Sequence, residues 1–332
     1  MIAIQLSSPG PIESAPLRAV ELPVPEPAAD ELLVRVRACG VCHTDLHVAE
    51  GDLTPSKMPI VPGHQVVGIV EKLGAGASGF KIGDRVGIAW LRWACGACRF
   101  CLAGSENLCA RGRFTGLDAD GGYAQFACAP AAFAYPIPEG YSDHEAAPLL
   151  CAGIVGYRAL RRSGIRPEGR LGLYGFGASA HIVIQIARHW KCEVYVFTRA
   201  ERHQKLAREL GAAWVGRAEE EPPRKLDSAI SFAPAGALVP EMLRALEKGG
   251  TAVLAGIAMS ATPPLDYRRC LYDEKTLTSA ANATRQDGRD LLALAREFRI
   301  ETRAEQFPLS DANRALRMVK ESRVEASAVL MI

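Results

Sequence analysis

No single sign of charge dominates this chain. Its 39 Lys and Arg residues are offset by 37 Asp and Glu, for a formal net charge of +2 over 332 residues. The basic residues are scattered rather than run together, so no strong pull toward nucleic acid or a membrane surface is implied. Long apolar runs are absent too. The longest, around residues 146–157, is broken by Pro148 and Gly153 and ends at Arg158, too short to span a bilayer. The opening Met1-Ile-Ala-Ile-Gln-Leu has no basic segment followed by an apolar one; no signal peptide is expected, and the cytoplasm is the expected location. There is no internal repeat and no low-complexity tract. In that setting the ten cysteines read as thiols, metal ligands or redox groups, and a disulfide framework is not expected.

What is present suits a globular protein of two domains. Hydrophobic residues make up 48% and charged residues 23%, and the length exceeds that of one ordinary domain. The first part reads as β-rich: in residues 32–38, Val34, Val36 and Ala38 alternate with Arg35 and Arg37, the period of a half-buried strand. Residues 65–73 and 85–90 also favour strands. Gly and Pro punctuate this part densely, as at Pro23, Pro25, Pro27, Pro59 and Pro62.

Near residue 152 the texture changes. Short apolar strands are expected at 171–174, 193–197, 229–232 and 252–255. Helical patterns stand between them, one through Ile182 and Ile186, another at 201–210 stopped by Gly211. Strands alternating with helices predict βαβ units and a parallel sheet. Glu219, Glu220, Glu221, Pro222 and Pro223 read as a solvated loop. Beyond residue 285 the pattern predicts one helix at 287–298, then mixed structure.

Cys95, Cys98, Cys101 and Cys109 follow C-x2-C-x2-C-x7-C. Four thiolates so close suit a tetrahedral Zn²⁺ with no position left for a substrate, which makes the site structural. An iron–sulfur cluster also uses four cysteines, but no typical spacing matches; a nucleic-acid-binding zinc ribbon would want a more basic neighbourhood. In the second half, Gly175-Phe-Gly177-Ala178-Ser-Ala180 follows an expected strand and opens an expected helix. That order makes it a dinucleotide-binding turn: Gly175 for the turn, Gly177 for close approach to the pyrophosphate, Ala180 for helix packing. The phosphates would sit on the helix N-terminus. At the end of the second strand an acidic residue would bind the ribose hydroxyls, but Thr198-Arg199 stands there. Without the acid, and with a guanidinium to pair with a 2′-phosphate, NADP(H) is favoured over NAD(H).

Cys42, His64 and Cys151, taken singly, read no differently from packing residues. The chain as a whole, however, resembles the zinc-dependent medium-chain alcohol dehydrogenases, of the shorter bacterial and yeast-like type, over nearly its full length. Gly40-Val-Cys-His-Thr-Asp-Leu-His47, Pro62-Gly-His64, Gly83-Asp-Arg-Val86, the four-cysteine loop and Ala147-Pro-Leu-Leu-Cys-Ala-Gly153 carry the resemblance, in the family's order.

That resemblance implies an α/β protein: a GroES-like β-rich catalytic domain over 1–152 and 285–332, holding both zinc sites, and a doubly wound Rossmann domain over 153–284. Cys42, His64 and Cys151 match three catalytic zinc ligands, with a fourth position open to water or substrate oxygen. Thr44 matches the hydroxyl that takes the substrate proton, His47 the far end of the relay to solvent, and Asp45 a carboxylate orienting His64. Helix capping also suits Thr44 and Asp45. His43 matches a residue near the pyrophosphate, as does Arg285 in Asn282-Ala-Thr-Arg285, and Trp90 falls on a position lining the substrate pocket. Where the family commonly has Glu after the ligand His, this chain has Gln65, so the zinc centre would be one charge more positive. The implied reaction is reversible hydride transfer between a primary or secondary alcohol and its aldehyde or ketone with NAD(P), by a homo-oligomer, the tetramer favoured over the dimer. The rival readings are a polyol or sugar dehydrogenase and a catalytically silent cofactor-binding relative. A small-molecule substrate is expected, with no nucleic acid or membrane partner.

Overall fold

A computed structural model describes residues 1–332 as two compact units, Met1–Cys151 with Ala283–Ile332, and Ala152–Asn282.

The first unit is built on a seven-stranded, mostly antiparallel sheet centred on the long strand Glu31–Val41. That strand pairs antiparallel with Gln65–Leu73, with Phe126–Pro130 and with Ser327–Met331. Its apolar face enters a core that includes Leu32, Val34, Val66, Val70, Ile88 and Leu330. The strand expected at 85–90 ends at Ile88. Trp90 lies beyond it, and its carbonyl is taken up by the Thr115 N–H at 2.9 Å. The expected helix at 287–298 begins two residues earlier and spans Arg285–Glu297. Thr284 caps it in a reciprocal arrangement with Asp287. The closing stretch, read from the sequence only as mixed structure, contains the strand Ala304–Pro308, the amphipathic helix Ala312–Lys320 and the strand Ser327–Met331.

The second unit is a six-stranded parallel sheet in the order Trp214–Gly216, Glu193–Phe197, Arg170–Tyr174, Leu226–Ser231, Leu246–Leu254, Thr276–Ser279. Numbered along the chain, the strands run 3-2-1-4-5-6 across the sheet, the doubly wound Rossmann arrangement. The order reverses beside Arg170–Tyr174, so ligands are favoured at the carboxyl end of that strand. The Gly175 turn is found there, running into the helix Ala178–His189. No helix in the protein is long and apolar enough to cross a membrane.

Candidate active site

The site is assembled from three stretches of the first unit. Cys42 directly follows the central strand and N-caps the helix His43–Glu50: its sulfur accepts from the Thr44 N–H at 3.4 Å, while its own N–H donates to Asp45 Oδ2 at 3.0 Å. A sulfur at a helix N-terminus feels the positive end of the helix dipole, which favours thiolate. His64 is fully buried and immediately precedes the strand Gln65–Leu73. Cys151 follows a short 3₁₀ turn, Ala147–Leu150. One ligand atom from each of the three lies within 4.8 Å of the others.

The arrangement fits a metal ion. Cys42 Sγ and His64 Nε2 are 3.5 Å apart, about the edge expected between sulfur and nitrogen of a tetrahedral zinc site with bonds of ~2.3 and ~2.0 Å. The His64 Nδ1–H donates to Asp45 Oδ1 at 3.0 Å, which leaves Nε2 to face the sulfur. A hydrogen bond from the Cys151 thiol holds the Cys42 pKa well below that of an ordinary thiol; burial opposes this, and the His64 charge adds to it. The same bond, with burial, keeps Cys151 protonated. Burial disfavours a charged His64, but Asp45 and Cys42 outweigh it and push its pKa up to about 10. Burial raises the Asp45 pKa against the pull of His64 and of the Cys42 N–H. Metal binding to these three residues would displace protons from them.

The relay candidates lie on the same helix. Thr44 is buried, and His47 follows one turn later, partly exposed, with Nδ1 2.8 Å from Asp52 Oδ2. Asp52 escaped the sequence reading. It stands past Gly51, whose φ of +92° turns the chain out of the helix and brings the carboxylate back to the imidazole. His43 has an exposed edge, yet desolvation of its ring lowers its pKa, opposed by Cys42. Trp90 meets the His64 ring edge-on at a centroid distance of 5.0 Å and stacks on Phe114, also at 5.0 Å. Phe114 was not singled out from the sequence either. The Gln65 side chain is buried against Gly40, and its amide nitrogen has no partner.

The four-cysteine loop closes on itself. The Cys95 and Cys98 sulfurs lie 3.8 and 3.5 Å from that of Cys101, and the four sulfurs all lie within 4.8 Å of one another. A zinc tetrahedron with ~2.3 Å bonds has edges of about 3.8 Å. The Ala97 N–H, followed by the Arg111 guanidinium, pulls the Cys95 pKa down to about 5.

Arg285, expected near the pyrophosphate, is paired within the first unit. Its Nε and Nη2 are taken by the Glu106 carboxylate at 2.6–3.1 Å, its Nη1 reaches the Ala132 carbonyl at 3.4 Å, and the group lies 4.3 Å over the Phe133 ring. A fork-to-fork pair of this kind positions both partners. Arg285 is a strut between the start of its helix and the four-cysteine loop.

In the second unit Gly175 has φ +81°, and an added Cβ would lie 3.1 Å from Ala233. Gly177 opens onto free space and N-caps the helix without a side-chain bond. The first-turn N–H groups are thus left for an anion. Ala178 begins the helix, and Ala180 is buried in it. Thr198 is buried, its N–H bonded to the Gly216 carbonyl at 2.9 Å; Arg199 beyond it is exposed.

Residues 28–139 match the alcohol dehydrogenase GroES-like domain, and residues 180–297 match the zinc-binding dehydrogenase domain. The chain belongs to the zinc-binding medium-chain alcohol dehydrogenase family, with a GroES-like domain joined to a Rossmann domain. Among its relatives is the probable alcohol dehydrogenase AdhA of Mycobacterium tuberculosis, 51% identical over 337 residues, covering 100% of this chain and 97% of that protein. An alcohol dehydrogenase of Geobacillus stearothermophilus is 34% identical, covering 96% of each. Among solved structures, an NAD-dependent alcohol dehydrogenase superposes with a TM-score of 0.92 at 26% identity, covering 100% of both chains. The protein is an alcohol dehydrogenase of this family.

Proposed function

We propose that this protein is a zinc-dependent, NADP(H)-preferring alcohol dehydrogenase that interconverts a primary or secondary alcohol with its aldehyde or ketone. The observation that carries this is the convergence of Cys42, His64 and Cys151, with Asp45 behind the imidazole. Zinc held by these three residues would supply Lewis acidity toward the substrate oxygen, and NADP(H) on the Gly175–Ala180 turn would supply or accept the hydride. A second zinc held by Cys95, Cys98, Cys101 and Cys109 would be structural.

The chain's own residues handle the proton. Thr44 accepts the hydroxyl proton of the alcohol, and His47 carries it onward toward solvent. The two residues are three apart on one helix, and hence neighbours on its surface. The bond from Nδ1 to Asp52 fixes the imidazole's orientation and leaves Nε2 free to exchange the proton. Two thiolates and a neutral imidazole balance a divalent ion. Gln65 adds no further negative charge, so the site would stay one unit more positive than with Glu there. Trp90, propped by Phe114 against His64, narrows the space beside the metal. Thr44→Val should lower turnover about a hundredfold, the usual share of a positioned acid–base group, while both metal ions are retained. Steady-state kinetics with metal analysis check this, and an unchanged turnover would remove Thr44 from the relay.

Cofactor choice rests on Thr198 and Arg199. Purified enzyme assayed with NADPH and NADH against a panel of aldehydes should favour NADPH. Arg199→Ala should cost about tenfold in kcat/KM for NADPH, the scale of one charge-assisted hydrogen bond, and change NADH little. Equal wild-type efficiency with both cofactors would refute the preference. For assembly we favour a homotetramer. The strand Thr276–Ser279 is a free edge of the parallel sheet, and Tyr267 and Tyr272 stand exposed in the segment before it, a surface that suits a second copy.

A further inference from the structure

The segment carrying His64 has no regular structure of its own from Val61 to His64. A second segment clamps it. The Gly121 N–H donates to the Val61 carbonyl at 2.7 Å, Gly122 to the Gly63 carbonyl at 2.8 Å and Tyr123 to the Pro62 carbonyl at 3.0 Å. The approach is close enough that a Cβ on Gly121 would sit 2.0 Å from the Gly63 oxygen. One on Gly63, where φ is +94°, would lie 2.4 Å from the Tyr123 ring. Both glycines are therefore required by contact, and Gly63 by its backbone conformation as well.

Tyr123 is fully buried, and its hydroxyl has no partner in full hydrogen-bonding geometry. A buried hydroxyl left without an acceptor is destabilising, and one beside a functional site calls for a reason. Burial first, then the Asp45 charge, raise the phenol's pKa well above its ordinary value; it stays protonated, able to donate. Asp45 already accepts from the Cys42 N–H at 3.0 Å, the Gly63 N–H at 3.2 Å and His64 Nδ1 at 3.0 Å. A carboxylate has about four acceptor sites, so one remains.

We infer that Tyr123 is a positioning residue for the metal ligand His64: its ring fixes Gly63, and its hydroxyl is the remaining donor to the Asp45 carboxylate that orients the imidazole. This rests on the reading that Cys42, His64 and Cys151 hold the metal. The groups behind a ligating histidine typically govern metal affinity by ~10–100-fold, and Tyr123 stands one layer behind Asp45.

The test is Tyr123→Phe, which keeps the ring and removes only the hydroxyl. Two readouts are taken on the intact protein: the rate at which each metal ion is lost to a chelator, and the visible absorption of the protein with cobalt at the three-ligand site. Loss of metal from that site should be about tenfold faster, with shifted cobalt bands, while the four-cysteine metal and Tm stay close to wild type. Wild-type loss rates and cobalt bands in the variant would overturn the inference. So would a large fall in Tm with unaltered bands, which would reduce Tyr123 to packing. Wild-type protein that binds no metal at the three residues would overturn the proposed function, and this inference with it, a result distinct from an inert Tyr123→Phe.

Discussion

Cys42→Ser should abolish turnover and leave the fold standing. The two halves of that expectation have different causes. A serine hydroxyl is neutral at pH 7 and a poor zinc ligand, so the three-ligand set loses an anionic donor and the site its Lewis acid. Losing Lewis-acid stabilisation worth ~4 kcal/mol corresponds to about a thousandfold in rate. The fold survives because of what else Cys42 does. Its sulfur N-caps the helix His43–Glu50 by accepting from the Thr44 N–H, and serine is among the best N-caps. The variant should carry one metal ion per chain in place of two, with Tm within a few degrees of wild type (~1 kcal/mol,). Metal content, Tm and steady-state rates decide it. Wild-type activity would overturn the assignment of Cys42.

Removing a ligand from the other cluster should do the reverse, damaging structure first. The four-cysteine loop has almost no core of its own. Leu102 is 75% exposed and Leu108 44%, and only Asn107 and Cys109 are buried between residues 94 and 112. Apolar burial therefore holds little of it, and on the proposed reading a metal on the four sulfurs, with the Arg285–Glu106 strut, would hold the rest. Structural zinc in comparably small units supplies on the order of 10 kcal/mol. In Cys98→Ser the loop should open locally. Limited trypsin digestion should then cut at Arg99 or Arg111 faster than in wild type, and Tm should fall by roughly 5–10 °C. Activity should fall as well. The strands Leu91–Trp93 and Arg113–Phe114 pair at the base of the loop and hold Trp90 against Phe114 and His64. A Cys98→Ser loop as resistant to trypsin as wild type would show that the metal is not what orders it.

Much of the fold lies in local patterns. The strands expected at 65–73 and 193–197 are found with those bounds. The order of strand, Gly175 turn and helix is complete within twenty residues, and the four-cysteine spacing is a property of one loop. Each feature depends on residues close along the chain, where side-chain period and turn chemistry act directly. Where a local pattern was overrun by its surroundings, the bounds moved: the strand from Arg85 stops at Ile88, because the Trp90 backbone is claimed by Thr115.

The sequence by itself thus determined the Rossmann turn, the closed cysteine cluster and the alternation of the β-rich part. Through a family resemblance it also named Cys42, His64 and Cys151, which single residues could not. Only the tertiary structure decided what stands behind them. Tyr123 meets Gly63 from sixty positions away, Arg285 pairs with Glu106, Trp90 is propped by Phe114, and the strand Ser327–Met331 joins the central strand near the chain's other end. None of these has a local signature. Such contacts join segments whose sequence separation carries no period, and they form only once the sheet and its clamps have closed the intervening loops.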